Sequence, residues 1–199
     1  MLPDQRNELQ RRLGEYVNVG ITQDGAPRGG VSVPWELTAH AFNMKIPDVY
    51  LSPADLSDGE IMEMLQKSHV LGCYIWAPLE DYAFLSRLTE LRDVYIQNGD
   101  SIRDLEFLRP LTECRMLFLQ NARLQNLDVI LEVKQRKPTF LPPFSCVGLC
   151  NCTVSDLSRF EGESHRFSEF LVWQPTGKDN KERYDCICAG TKRYYEYEE

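Results

Sequence analysis

The sequence predicts an α/β solenoid, with short parallel strands along one side and short helical segments along the other. The chain reads LSRLTELRDVYIQNGDSIRDLEF at 85–107 and then LRPLTECRMLFLQNARLQNLDVI at 108–130. A fixed period of this size is typical of repeat architectures. Short apolar segments of the same kind recur on both sides of the pair. Since one unit cannot bury its leucines alone, we expect neighbouring units to stack into one continuous core.

The period predicts about five repeats, each contributing one strand. The strands are expected at 49–51, 71–73, 94–96, 117–119 and 147–149. The last of these lies 30 residues after its predecessor instead of 23, and the extra residues fall in the segment KQRKPTFLPP at 134–143. Three prolines in ten residues predict a loop. We interpret it as an insertion in the array, since such insertions map to loops.

Both ends of the chain lack the repeat and predict separate caps. Residues 1–16 predict a helix with Leu9, Leu13 and Tyr16 at helical spacing. Apolar residues alternate over 17–22 and again over 31–37, around a glycine-rich loop, which predicts a β-hairpin. A second hairpin is expected from 170–174 and 184–189. The predicted organisation is an N-terminal cap at 1–46, a repeat body at 47–165 and a C-terminal cap at 166–199.

The central pair resembles the leucine-rich repeat family, and its short period resembles the internalin-type, bacterial-style repeats. The positions that carry the resemblance are Leu85, Leu88, Leu91, Val94, Ile96, Asn98, Ile102 and Leu105. The resemblance implies a parallel sheet on a concave side, helical segments on a convex side, and a hairpin cap at each end. It also implies that Asn98, Asn121 and Asn151 satisfy backbone groups in the turn after each strand.

Side chains alternate along a strand, so residues between the core positions should face outward. Their aromatic rings and amides have the composition of a protein-binding surface, and we expect the concave strand face to bind a protein partner without catalysis. The candidate partner-binding residues are Tyr74, Tyr95, Gln97, Phe118, Gln120 and Cys150. The alternative is that the terminal hairpins or the loop cover these rings, or that the rings only stack on one another.

The charge balance limits the kinds of partner. The net charge of −8 and pI near 5.0 disfavour nucleic acid, because phosphate binding needs clustered lysine and arginine. A basic protein partner would fit better. The charged N-terminus has no apolar signal region, and no run approaches the length of a membrane span. Seven unevenly spaced cysteines predict reduced thiols in a cytoplasm.

Catalysis and cofactors have little support in the sequence. It has no G-x-S-x-G, no H-E-x-x-H and no phosphate-binding glycine loop, so we expect neither enzyme activity nor a cofactor. The alternative is a thiol-dependent enzyme that pairs Cys146 or Cys150 with His165, or a zinc-dependent accessory protein. The candidate zinc ligands are Cys150, Cys152, Cys186 and Cys188. The single residue between paired ligands is fewer than structural zinc sites usually have, so packed thiols are favoured.

Overall fold

The computed structural model describes residues 2–27, 46–134, 142–160 and 162–173. Three helices and nine strands follow one another within these residues. Their bounds are α1 Pro3–Arg11, β1 Tyr16–Ile21, β2 Val49–Leu51, α2 Gly59–Lys67, β3 His69–Ile75, β4 Asp93–Ile96, β5 Met116–Gln120, β6 Arg123–Leu124, α3 Asp128–Glu132, β7 Cys146–Cys150, β8 Thr153–Val154 and β9 Glu169–Trp173. Short 3-10 turns occupy several of the connections between them.

Seven of the strands form one parallel sheet in the order β2–β1–β3–β4–β5–β7–β9. Val94 lies opposite Leu117, and Leu117 lies opposite Val147. These are the offsets of 23 and 30 residues that the sequence predicts. Strands β6 and β8 form a small second parallel pair. The chain is therefore α/β with an extended parallel sheet.

The residues that alternate toward the helices define what we call the core face of the sheet. Val94 and Ile96 of β4 and their equivalents in the neighbouring strands are buried there in one continuous cluster. Leu9 of α1 and Leu65 of α2 are buried in the same cluster. The prediction of one stacked core through the repeats is confirmed. We call the opposite side of the sheet the ring face, because its central residues are aromatic.

The N-terminal hairpin prediction is wrong. Strand β1 is parallel to β2 along one edge and to β3 along the other, so no edge of it is left for an antiparallel partner. The predicted second arm, 31–37, lies outside the described residues. The helix also ends earlier than predicted, at Arg11, and Tyr16 begins β1 instead. The sheet therefore starts inside the segment that the sequence assigns to a cap.

The register of β3 also differs from the prediction. Stepping back 23 residues from Val94 places Leu71 beside it, but Cys73 lies opposite Val94 in the structure. A bulge causes the shift: Val17 pairs with Val70 and Asn18 pairs with Gly72, so Leu71 is an extra residue. The predicted neighbour of β3, strand β2, lies one strand further away because β1 separates them.

The C-terminal prediction changes in the same direction. Strand β9 is parallel to β7, and Phe170 lies opposite Val147 at a 23-residue offset. The period therefore continues through 169–173, beyond the predicted end of the repeat body at 165. The expected partner arm at 184–189 lies outside the described residues, as do residues 135–141 of the predicted insertion.

A row of asparagine side chains connects successive units just after their strands. Asn98 Nδ2 donates to the Trp76 carbonyl oxygen at 2.5 Å, and Asn121 Nδ2 donates to the Gln97 carbonyl oxygen at 3.4 Å. Asn151 Nδ2 donates to Asn121 Oδ1 at 2.8 Å. Asn98 and Asn121 thus satisfy carbonyl groups of the preceding unit, as predicted. Asn151 extends the row through the Asn121 side chain.

We predict that Asn121 stabilises the fold both through its amide and through its backbone. Its φ is 65°, a left-handed conformation that costs an alanine about 1–2 kcal/mol. Asn121→Ala should therefore lower the free energy of unfolding by about 2–4 kcal/mol, since the amide hydrogen bonds contribute about 1–2 kcal/mol more. Asn121→Gly should lose less, because glycine accepts this φ freely. Urea denaturation measures both, and equal unfolding midpoints for wild type and Asn121→Ala would refute the role.

Candidate functional site

The structure brings the three predicted aromatic side chains together on the ring face. Tyr74 lies opposite Tyr95 and Tyr95 lies opposite Phe118, on three adjacent strands. The rings of Tyr95 and Phe118 are stacked, with centroids 4.5 Å apart and planes inclined by 10°. The aromatic stripe therefore exists where the sequence predicts it.

The prediction that this stripe is exposed is wrong. Tyr74 is 0% exposed, Tyr95 and Phe118 are each 1% exposed, and Cys150 is also buried. Trp76 adds a ring whose centroid is 6.2 Å from that of Tyr74. The sheet is therefore buried on both faces along its middle, as all-parallel sheets generally are. The ring face is here a second core layer rather than an open binding surface.

Glycine leaves room for part of this layer. A Cβ atom on Gly20 would lie 2.9 Å from both Trp76 Cζ3 and Tyr50 Cδ1. These rings occupy the place where another residue would carry its side chain. Their centroids are 6.4 Å apart with planes inclined by 21°. The layer therefore extends from β5 across to β2.

Two polar atoms of the layer are buried without a hydrogen-bond partner, Tyr95 Oη and Trp76 Nε1. Burial raises the pKa of the Tyr95 hydroxyl above its usual value, and the nearby Cys150 thiol raises it further. The phenol is therefore neutral at physiological pH. Each unpartnered group costs about 1–3 kcal/mol, so aromatic packing must offset that cost.

The two predicted glutamines occupy a different environment. Gln120 ends β5 and Gln97 directly follows β4, so their side chains stand on neighbouring strands at the carboxyl edge of the sheet. Both residues are half-buried. Their backbone carbonyl groups accept hydrogen bonds from Asn121 Nδ2 and the Gly99 amide. Within the described contacts, neither side-chain amide makes a hydrogen bond.

The candidate zinc ligands do not share a face. Strand β7 ends at Cys150, and Asn151 follows with a φ of 48°. That turn carries Cys152 into the core cluster, while Cys150 is buried outside that cluster. Cys186 and Cys188 lie outside the described residues. Among the described residues, no group of three or more metal-ligating side chains is present.

The thiols of the described cysteines are poor nucleophiles in this environment. Burial raises the pKa of Cys73 to about 12 and that of Cys152 to about 11. Burial also raises the pKa of Cys146, and the Glu169 carboxylate, 3.6 Å from its sulfur, raises it further. His165 Nδ1 lies 3.2 Å from the carbonyl oxygen of Gly162 in its own turn. Because the thiolate is the reactive form, this arrangement does not resemble an activated cysteine.

A cluster that the sequence did not indicate lies at the opposite edge of the sheet. Tyr16 begins β1 and His69 begins β3, directly opposite each other, with ring centroids 5.2 Å apart. His69 Nδ1 lies 2.8 Å from Glu90 Oε2. We call Tyr16, His69 and Glu90 the Tyr16 cluster. Its members are far apart in sequence, and the helical spacing of Tyr16 with Leu9 pointed to a buried helix face instead.

Comparison with known proteins gives no identification: no model of a protein family matches the sequence, and no curated protein matches it. In the described part of the chain, no helix has the length and apolar character needed to span a membrane. The functional argument therefore depends on the geometry of these sites.

We predict slow alkylation of the described cysteines in the native protein. Iodoacetamide at pH 8, with labelled peptides identified by mass spectrometry, should modify Cys73, Cys114 and Cys152 only after unfolding, because burial raises the pKa of each thiol. Cys146 should react slowly for the same reason. Rapid native labelling of Cys146 or Cys150 would contradict this account and favour a thiol-dependent enzyme.

Proposed function

We propose that this protein is a non-catalytic recognition module built as a leucine-rich repeat solenoid of about five repeats. Several observations support that architecture. Strands β4, β5, β7 and β9 lie in register at offsets of 23, 30 and 23 residues. The asparagine row between units matches the role that the family resemblance implies. Stacked units of this kind form extended surfaces that bind other proteins.

The observation that carries the proposed function is the pair of amide side chains at Gln97 and Gln120. Neighbouring strands are about 4.8 Å apart, so the two amides form a short polar row at the edge of the concave face. Each amide offers donors and an acceptor. The row therefore fits the alternating N–H and C=O groups of an extended segment of a protein partner. The aromatic rings behind it are core residues in this proposal and do not touch the partner.

Charge and thiol chemistry support the rest of the proposal. The net charge of −8 favours a basic partner and disfavours nucleic acid. The five described cysteines are free thiols, which fits a cytoplasmic setting. The raised pKa values of the buried thiols weigh against the thiol-dependent alternative, and the separation of Cys150 from Cys152 weighs against the zinc-dependent one.

We predict that partner binding depends on the two amides. The double variant Gln97→Ala/Gln120→Ala should weaken it about tenfold or more, since each lost hydrogen bond contributes about 0.5–1.5 kcal/mol. Gln125→Ala is the matched control, because Gln125 is an exposed glutamine away from the row. Each protein is immobilised, incubated with lysate of the source organism, and the captured proteins are quantified by mass spectrometry.

The proposal requires proteins that wild type and Gln125→Ala retain equally and that the double variant loses. Circular dichroism and thermal melting should show that all three fold alike. If every captured protein is recovered in equal amounts on all three, the amide row is not the recognition surface.

A further inference from the structure

The Tyr16 cluster is held in place by main-chain hydrogen bonds. The His69 amide donates to the Glu15 carbonyl oxygen at 2.9 Å, and the Gly14 amide donates to the Lys67 carbonyl oxygen at 3.2 Å. These contacts fix the turn before β1 against the turn before β3. The aromatic ring of Tyr16 is thus attached to the ordered sheet at the starts of the strands and not to a loose terminus.

The exposure of Tyr16 is unusual in this protein. Its surface is 66% accessible, whereas the other tyrosines in the described part of the chain, Tyr50, Tyr74, Tyr82 and Tyr95, are buried. One side of the ring faces the His69 imidazole. A rigid, exposed aromatic ring gives a partner a large contact area at a low entropic cost, and tyrosine is enriched in binding hot spots for this reason.

Carboxylates give the surroundings of this ring a negative character. Glu90 is 55% exposed and uses Oε2 toward His69, while its Oε1 atom has no hydrogen-bond partner among the described residues. The Glu15 side chain is 62% exposed, with Arg12 at 3.8 Å. Arg12 also contacts Glu8 at 2.5 Å and Asp48 at 3.4 Å, so it is shared among three carboxylates. An exposed ring beside available carboxylate oxygens favours a cation.

We infer that the Tyr16 cluster is a docking site for an arginine side chain of a protein partner. The guanidinium group would stack on the free side of the Tyr16 ring and donate to Glu90. Arginine fits better than lysine, because its planar group both stacks on an aromatic ring and presents several N–H donors toward a carboxylate. The source of the arginine rests on the proposed function, but the site is separate from the Gln97–Gln120 row.

The test uses the full chain and three blocked peptides of the same length, each with three arginines, three lysines or three citrullines separated by glycines. Citrulline has nearly the shape of arginine without its charge. Two-dimensional NMR titration should give the tightest binding for the arginine peptide, with shifts at the starts of β1 and β3. Tyr16→Ala should weaken it about two- to fivefold, as expected for an exposed cation–π contact.

Variants of matched charge separate the site from a general acidic effect. Tyr16→Phe should bind as wild type, because the ring is kept. Glu90→Gln should weaken binding more than Glu80→Gln, which removes the same charge at an exposed position elsewhere. Equal binding of the arginine and citrulline peptides, or equal effects of Glu90→Gln and Glu80→Gln, would overturn the inference. So would unchanged binding by Tyr16→Ala.

The same titration on the Gln97→Ala/Gln120→Ala variant keeps the two proposals distinguishable. That variant should bind the arginine peptide as wild type does, even if it loses its protein partner. Arginine binding that disappears with the glutamines would place the peptide at the amide row and contradict the Tyr16 cluster as the site.

Discussion

Register between parallel strands is the constraint on which this structure depends. Side chains alternate with a period of two, so a shift of one residue would exchange the two faces of every strand. In the observed register, Val94, Leu117 and Val147 lie side by side on the core face. Tyr95 and Phe118 then fall together on the ring face. A single pairing therefore places the aliphatic core, the aromatic layer and the amide row at once.

Regular spacing explains how much of the fold the sequence could predict. Where the 23-residue period is unbroken, β4 and β5 lie where the pattern places them, and the insertion before β7 is accounted for by its length. The period fails at β3, because the bulge at Leu71 adds one residue that spacing cannot reveal. It also fails at β1, whose pairing with both β2 and β3 joins segments distant in sequence. Alternation alone could not distinguish a hairpin arm from a parallel strand.

The candidate site was predicted in position but not in environment. Tyr74, Tyr95 and Phe118 lie on one face as alternation requires, yet alternation does not tell whether that face is open. A sign was present in the sequence: the outward positions of β4 and β5 carry aromatic rings, so these strands are apolar on both faces, and such strands are typical of buried parallel sheets. The Tyr16 cluster had no comparable sign, since only the fold brings Tyr16 beside His69 and Glu90.

These observations move recognition from the middle of the sheet to its two edges. Gln97 and Gln120 offer hydrogen bonds at the carboxyl ends of the strands, and Tyr16 offers an exposed ring at the amino ends. The buried rings between them stabilise the sheet that holds both edges in position. Binding specificity in this account comes from polar and cationic contacts around a rigid double-sided core.

The most direct test of this account is nitration of tyrosine by tetranitromethane in the native protein, resolved by peptide mass spectrometry. The account predicts rapid nitration of Tyr16 and almost none of Tyr74 and Tyr95, because those rings are buried and burial raises the pKa of Tyr95. Tyr16 serves as the internal positive control. Nitration of Tyr74 or Tyr95 at a rate comparable to that of Tyr16, in protein that remains folded, would show that the ring face is open and would contradict the account.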